Sequence, residues 1–401
     1  LNRSSFAILL LATFLILFSP LGIDIYLPAL PTLARVFEAT SAEIQYTLSL
    51  FIFASGLGQL VAGPLADRYG RRPIALCSIV LFLLSSLAAA AAQDLFQLYI
   101  SRTLQGLAAC GTSVVSYTLI RDRFNGNDRA TAYNYLNGSL CVAPAMAPFL
   151  GAVLADSFGW RWIFVALAAF SICVFGYIYA RLPETRPDST LKPESLFSLK
   201  HYGPLFSNSS FLYYGFACMA ALASIICYVS FAPLVLIQEL GLSQKDFGIL
   251  FGANAVLIIL ANLFAPRIIS RLGAFSTVIS GCSILGGAGL IMLLSYYLNQ
   301  TTLLGYVIPV AIASIGFALI LGAATSQALA PFPDQAGTAS AALGCGQMVG
   351  AATISAMALE TGWSGTLAVS MVLAVLGGSC LIAGVGFGQR LQSVRSVQPK
   401  A

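Results

Sequence analysis

The feature that most constrains this chain is the repeated return of apolar runs long enough to cross a bilayer. A helix needs about 20 largely apolar residues to span the hydrocarbon core. Twelve such runs occur, near residues 5–31, 44–65, 73–93, 95–119, 131–155, 161–181, 209–238, 246–267, 273–297, 302–327, 335–359 and 364–388. Only 9% of the 401 residues are charged, against roughly 25% in soluble domains. So few charges cannot cover a soluble surface of this size, and disorder requires the opposite balance of charge and hydrophobicity. The expected class is an all-α polytopic membrane protein with twelve transmembrane helices. The first run is longer than the core of a cleavable signal and further spans follow it, so no signal peptide is expected.

Most connections are short. The exception is 182–208, which carries proline, charge and the single histidine, His201. It divides the chain into a first bundle at 1–181, a linker at 182–208 and a second bundle at 209–401, six spans to each bundle. The short stretch after the second span, Gly63-Pro-Leu-Ala-Asp-Arg-Tyr-Gly70-Arg-Arg72, has a counterpart after the eighth, Ala265-Pro-Arg-Ile-Ile-Ser-Arg-Leu-Gly273. Repeated halves of this kind suggest a duplicated, pseudo-symmetric transporter with its substrate site near the midplane. With a cytoplasmic N-terminus, sixteen of the twenty Lys and Arg residues fall inside and only Arg35, Arg161 and Lys245 outside; the last, Arg102, lies within a span. Positive residues collect on the cytoplasmic side, so both termini and the linker are expected there.

Several function classes drop out. A net charge of +5 supplies no basic patch for nucleic acid. One histidine leaves no basis for a His-based metal site. The nine cysteines sit in apolar runs without a C-x-x-C pair and read as small buried hydrophobes. The Walker loop G-x-x-x-x-G-K-[ST], the metalloprotease H-E-x-x-H and the hydrolase G-x-S-x-G are all absent from the sequence. The chain is therefore not expected to be an enzyme or to use ATP itself. No metal or cofactor is expected, and any active transport would be driven by an ion or solute gradient. The expected partners are a small-molecule substrate and the bilayer, with no obligatory protein partner and a monomeric state.

The informative residues are charges placed where charge is costly. Asp24 is the one acid well inside a span, at a cost of at least ~2.5–3.5 kcal/mol on insertion scales. Pro20 and Pro28 flank it one turn away on each side. They predict an irregular helix, of a kind tolerated only against protein or a wet cavity. Asp24 then reads as a functional carboxylate or as a helix-packing one. Arg102 shares a helix face with Gln105 and Gly106. A guanidinium at depth needs an anion or carbonyls, and the economical proposal is a part-time or permanent Asp24–Arg102 pair. In the fifth span, Ala143-Pro144-Ala-Met-Ala147-Pro148-Phe-Leu-Gly151 puts two prolines on one face and small residues where another helix can come close. Candidate substrate contacts are Asp24, Arg102, Gln105, Asn137, Tyr228, Asn254, Gln327 and Gln347. Each of the uncharged ones reads equally as a helix-packing group.

These residues carry a resemblance. Gly63–Arg72 resembles the signature G-x-L-a-D-R-x-G-R-[RK] of the major facilitator superfamily. Arg102-x-x-Gln105-Gly106 matches the fourth-span motif of its proton-coupled drug exporters. Asp24-Ile-Tyr-Leu-Pro-Ala-Leu-Pro31, the proline pair with Gly151, Gly159-Trp-Arg-Trp-Ile-Phe164 and Ala336-Gly-Thr-Ala-Ser-Ala341 are similar to the Bcr/CflA branch. The resemblance covers essentially the whole chain. The second-half loop lacks an acid equivalent to Asp67. The resemblance implies two six-helix bundles in the bacterial inner membrane and export of small amphipathic compounds, such as phenicol-type or bicyclomycin-type antibiotics or related metabolites, in exchange for protons. Asp24 would be the protonation site and Arg102 its modulator. Gly63, Asp67, Arg68, Gly70, Arg71 and Arg72 would form a conformational latch on spans 2, 3 and 11. Pro144, Pro148 and Gly151 would be the span-5 antiporter motif. The other reading within transport is a proton-driven importer of a nutrient such as a nucleoside.

Overall fold

A computed structural model describes residues 3–124, 126–186, 202–299, 301–332 and 336–397. Within these, the side chains of 3–5, 126–131, 134, 137, 141, 299, 336 and 388–397 are outside the description. The described residues are helical almost throughout. In chain order the helices are α1 (Arg3–Ile16), α2 (Phe18–Asp24), α3 (Leu30–Val36), α4 (Ser41–Tyr69), α5 (Arg71–Ala91), α6 (Leu95–Arg123), α7 (Gly126–Phe158), α8 (Arg161–Arg181), α9 (Gly203–Phe206), α10 (Ser209–Pro233), α11 (Gln244–Leu272), α12 (Ala274–Asn299), α13 (Leu303–Leu329), α14 (Ala336–Glu360) and α15 (Gly365–Val397).

Eleven helical stretches among the described residues are long and apolar enough to cross a membrane. The first, Phe6–Val36, joins α1, α2 and α3, and another, Ser209–Glu239, continues past α10. The twelfth long helix is α6, at 29 residues. It is less apolar because Arg102, Gln105, Thr112 and Ser116 are turned into the protein, where each is fully buried. A polar side chain buried and hydrogen-bonded inside a bundle escapes the cost it would meet against lipid.

The irregularity that Pro20 and Pro28 predict is present. Pro20 has no N–H for the carbonyl of Ile16, where α1 ends. Pro28 has none for the carbonyl of Asp24, where α2 ends. A 3₁₀ turn at Leu27–Ala29 then bridges to α3. The chain reverses into α4 through a capping box. Thr40 Oγ1 accepts from the Glu43 N–H at 3.2 Å, and the Thr40 N–H donates to Glu43 Oε2 at 2.8 Å.

The chain divides into two compact units. One comprises Leu1–Ser198 together with Ala232–Val256; the other comprises Leu199–Phe231 and Leu257–Ala401. Ala232–Val256 packs with the first unit at glycines. A Cβ on Gly252 would stand 2.6 Å from the Ala145 carbonyl oxygen, and one on Gly248 would stand 2.9 Å from Phe149 Cα. The small-residue face of the fifth span thus receives a close neighbour, although the small residues that matter most belong to α11.

The second unit is built on similar close approaches. A Cβ on Gly377 of α15 would overlap the Gly286 backbone of α12, and one on Gly316 of α13 would lie 2.8 Å from the Gly281 carbonyl oxygen. Such contacts let dispersion hold helices together where lipid gives no hydrophobic drive. Of the cysteines, Cys110, Cys218, Cys227, Cys282 and Cys380 are buried as expected, while Cys77 and Cys173 are exposed on their helices.

Candidate functional site

Asp24 is the last residue of α2 and is only 4% exposed. The expected ion pair with Arg102 is not formed: among the described residues, ion pairs are confined to Asp67, Arg71, Arg121 and Asp122. Arg102, fully buried, is satisfied in another way. Its guanidinium carbon lies 4.5 Å from the ring centroids of both Tyr26 and Phe51. Nη2 donates to the Gly22 carbonyl at 2.8 Å, and Nη1 donates to Gln105 Oε1. Gln105 in turn donates to Ser86 Oγ at 2.7 Å, and Ser86 donates to the Phe82 carbonyl at 2.6 Å. A desolvated cation over a ring gains about 2 kcal/mol or more, and a hydrogen bond to a charged group about 1.5–3 kcal/mol. Two ring faces and two acceptors therefore do the work that a carboxylate would do.

This arrangement grips the backbone on both sides of Asp24. Gly22, two residues before it, accepts from Arg102. Tyr26, two residues after it, is stacked on the same guanidinium, and its hydroxyl bonds Thr47 Oγ1. Thr47 donates onward to the Ile44 carbonyl at 2.6 Å. The grip needs glycines. A Cβ on Gly106 would overlap the Phe51 carbonyl oxygen, and one on Gly151 of α7 would overlap the Ile25 carbonyl oxygen. Gly151 of the proline motif therefore seats the carbonyl of the residue that follows Asp24.

The second cluster is at the other end of α4. The stretch that reads as a loop in sequence is mostly helix: α4 runs through Tyr69, and only Gly70, at φ 105°, separates it from α5. Arg71 is fully buried. It pairs through Nη2 with Asp67 Oδ1 at 2.8 Å and through Nε with Asp122 Oδ2 at 2.9 Å, and donates through Nη1 to the Ala66 carbonyl at 2.8 Å. Glu184, just past α8, accepts the Arg71 and Arg72 N–H groups at 2.9 and 3.2 Å. These are the first free donors of α5, where a carboxylate is favoured by the helix dipole. Arg186 closes the clasp by donating to the Arg68 carbonyl at 2.8 Å. Arg72 reaches α8, donating to the Tyr179 carbonyl at 2.9 Å. Burial pushes the Glu184 carboxyl up, but N–H donors from Arg186, Arg71, Arg72 and Thr185 outweigh it and hold the group below its ordinary range.

Asp122, Glu184 and Arg186 were not among the sequence candidates. Their signal is faint: Asp122 sits between Arg121 and Arg123 and reads as a membrane flank, and Glu184 reads as the start of a linker. Gly63 has open space around it, so nothing in this geometry demands a glycine there. Of the remaining candidates, Gln105 belongs to the Arg102 network. Asn137 lies outside the described side chains. Asn254 on α11 belongs to the stretch packed with the first unit. In the second unit Tyr228 is buried with its ring 6.3 Å from that of Tyr306. Gln347 on α14 hydrogen-bonds Cys218, whose Sγ is 3.5 Å from Thr325 Oγ1. Gln327 is half-buried on α13.

Comparison with known proteins agrees with this architecture. A sequence model described as Major Facilitator Superfamily matches residues 12–355. The chain is 29% identical over 330 residues to a Multidrug resistance protein MdtL from Shewanella sp. (strain ANA-3), covering 82% of each. It is likewise 29% identical over 327 residues to the protein of that name from Klebsiella pneumoniae subsp. pneumoniae, covering 82% of each. Among solved structures, a D-xylose-proton symporter superposes with a TM-score of 0.77 at 15% identity, over 95% of this chain and 96% of that one. An inward-open conformation of the xylose transporter XylE from E. coli gives 0.74 at 15% identity, over 94% and 95%. The fold is thus shared at low identity.

Two outcomes are expected. Arg102→Lys keeps the charge but loses the planar stack and the second donor. It should lower the stability of the purified protein by roughly 2–3 kcal/mol, read as a fall in melting temperature; an unchanged melting temperature would contradict the aromatic grip. Glu184→Gln should lower the melting temperature near neutral pH. Because the folded group titrates below its ordinary value of 4.5, the stabilisation is present above that value and fades as pH falls further. Melting curves at pH 7 and pH 4 should therefore show the variant and the parent converging; a gap that widens on acidification would refute the clasp.

Proposed function

We propose, from the premise that this chain belongs to the major facilitator superfamily, that it exports small amphipathic compounds in exchange for protons. Superfamily members are transporters rather than enzymes, and the chain is a multi-pass membrane protein. The observation that carries the finer reading is the setting of Asp24. It is a buried carboxylate at a break in the first span, with the backbone held on both sides and no ion-pair partner among the described residues. The names of the 29%-identical relatives support efflux of drugs and do not favour the importer reading.

The chemistry follows from the cost of charge. An unpaired carboxylate at depth is expensive when ionised, so the site takes up a proton from water on one side of the membrane and releases it to water on the other. Arg102 is too buried to meet substrate. It holds the chain at Gly22 and Tyr26, two residues to either side of Asp24. With one intramembrane acid, the site moves at most one proton per cycle. The local charge is zero with Asp24 ionised and +1 with it protonated, which suits neutral or singly charged amphipaths over dications. Exchange of a proton for a neutral compound moves charge and draws roughly 2.3 kcal/mol per 100 mV from the membrane potential; exchange for a monocation does not.

In this proposal the halves 1–181 and 209–401 rock about the site, with 182–208 joining them on the cytoplasmic side of the bacterial inner membrane. The Asp67–Arg71–Asp122 cluster and the Glu184 clasp stiffen that side of the first half. The second half contributes Tyr228, Gln327 and Gln347, and the first half Asn137, toward substrate; phenicol-type and bicyclomycin-type compounds are the first to try. Asp24→Asn should abolish proton-driven uptake into inverted vesicles, while binding of a neutral substrate stays measurable and less dependent on pH. Uptake is measured at several pH values, with and without an imposed potential. Wild-type pH-gradient-driven transport in Asp24→Asn would place the proton site elsewhere.

A further inference from the structure

The seam between α12 and α15 keeps a register that can be read from its glycines. A Cβ on Gly289 would press on the Ala374 backbone, one on Gly377 on the Gly286 backbone, and one on Gly384 on the Ile279 side chain. As the number falls along α12 it rises along α15, so the helices run antiparallel. Residues 279, 282, 286 and 289 recur every three or four positions and share one face of α12. Between the last two of those close approaches, the same register sets Cys282 opposite Cys380. Both are fully buried, and they hydrogen-bond each other. Backbones that meet through glycine bring the two sulfurs together with no long side chain between them.

A third polar group ends at the same place. Tyr213 of α10 is 6% exposed, and its ring stacks on Phe387 of α15 with centroids 4.7 Å apart. Its hydroxyl lies 2.7 Å from where a Cβ on Gly384 would stand, one helical turn beyond Cys380. It is close enough to both thiols to interact with them electrostatically. That hydroxyl has no hydrogen-bond partner among the described residues. A buried donor left idle costs about 1–3 kcal/mol, and this one points at a pair of sulfurs. Cys218, also on α10, is engaged elsewhere, by Thr325 Oγ1 at 3.5 Å and by Gln347. Among the described residues no group of three or more His, Cys, Asp or Glu is placed to hold a metal, so the thiols stand as a pair.

We propose that Cys282 and Cys380 form a two-coordinate site for a soft monovalent cation of the Cu(I) type, with the Tyr213 hydroxyl donating to the bound thiolate. Sulfur ligands select Cu(I) over harder ions, and Zn(II) would need about four ligands, which the pair does not supply. As the ion enters, one thiol gives up its proton to bulk water and the other stays a thiol. The S–Cu–S unit is then neutral, and no electron is transferred. Neutrality avoids burying a net charge among apolar helices; a divalent ion would reach it only by driving off both protons. Cys282 is eight residues into α12, about 12 Å from Ala274 at 1.5 Å per residue. The rings of Tyr213, Phe275 and Phe387 cluster beside that stretch, with centroids no more than 6.2 Å apart, and ring faces attract a cation. All these residues belong to the second unit, so the ion ties together helices of one compact body.

The test titrates the whole purified chain, reduced and free of oxygen, with Cu(I) in competition with a chromophoric Cu(I) chelator, to which lone thiols elsewhere in the chain lose the ion. The wild type should withdraw one Cu(I) per chain, gain the ultraviolet absorption of a copper–thiolate bond, melt at a higher temperature and release one proton per ion into weak buffer. Cys282→Ser and Cys380→Ser should each bind at least tenfold more weakly. Tyr213→Phe, which keeps the ring stack, should bind at least threefold more weakly, and Cys218→Ala should match the wild type. X-ray absorption of the loaded wild type should find two sulfur neighbours at the copper. Wild-type affinity in Cys282→Ser or Cys380→Ser, loss of binding in Cys218→Ala, or nitrogen and oxygen neighbours at the copper would overturn the proposal. The X-ray absorption is read on the unaltered protein, so a variant that fails to fold does not shield the proposal.

Discussion

The first unit depends on one buried guanidinium. Arg102 has left water entirely, and what replaces its hydration is two aromatic faces, a glutamine and a backbone carbonyl. None of these is charged, so the cation is stabilised without being neutralised. That distinction matters for the neighbouring carboxylate. A closed Asp24–Arg102 pair would hold Asp24 ionised on both sides of the membrane. An arginine that binds Gly22 and Tyr26 instead fixes the turn in place and forms no ion pair with the carboxyl. The glycines Gly22, Gly106 and Gly151 permit this, because each stands where a Cβ would press on a ring or a carbonyl.

The Arg71 cluster is the contrasting case. There a buried arginine has two carboxylates, from Asp67 and Asp122, and the adjoining helix end is capped by Glu184. Removing one partner from such a set strands the others, so it behaves as a unit that is either closed or broken. Asp67, one turn before Arg71, reaches it at 2.8 Å because α4 carries on as helix to within one residue of α5. The two arginines thus differ in their partners: one holds the backbone around a carboxylate without pairing with it, the other pairs with two carboxylates.

Much of this was legible before any coordinates. The spans and the family resemblance follow from apolar length and from motifs spread along the sequence. Asp24 and Arg102 stand out because charge inside a span is rare, and Pro20 and Pro28 announce the break between α1, α2 and α3. The partner of Arg102 was not legible. Aromatic residues are common in spans, and nothing in the order of letters marks Tyr26 and Phe51 as the two that meet one guanidinium. Glu184 and Asp122 were missed because an acid beside basic residues at a span end looks like a membrane flank. Pro233 signals a helix break but not the π turn over Leu234–Glu239 that follows it, since a proline equally permits a kink. The assignment of Ala232–Val256 to the first unit is a matter of tertiary packing at Gly248 and Gly252, which carries no local signature.

The account turns on a single exchangeable proton at Asp24. The most direct measurement is the proton released when a compound shown to bind by thermal shift is added to the purified protein in weakly buffered detergent solution near neutral pH. The account predicts a release of no more than one proton per protein molecule, and none from Asp24→Asn under saturating compound. A release of wild-type size from Asp24→Asn, or more than one proton from the wild type, would contradict it.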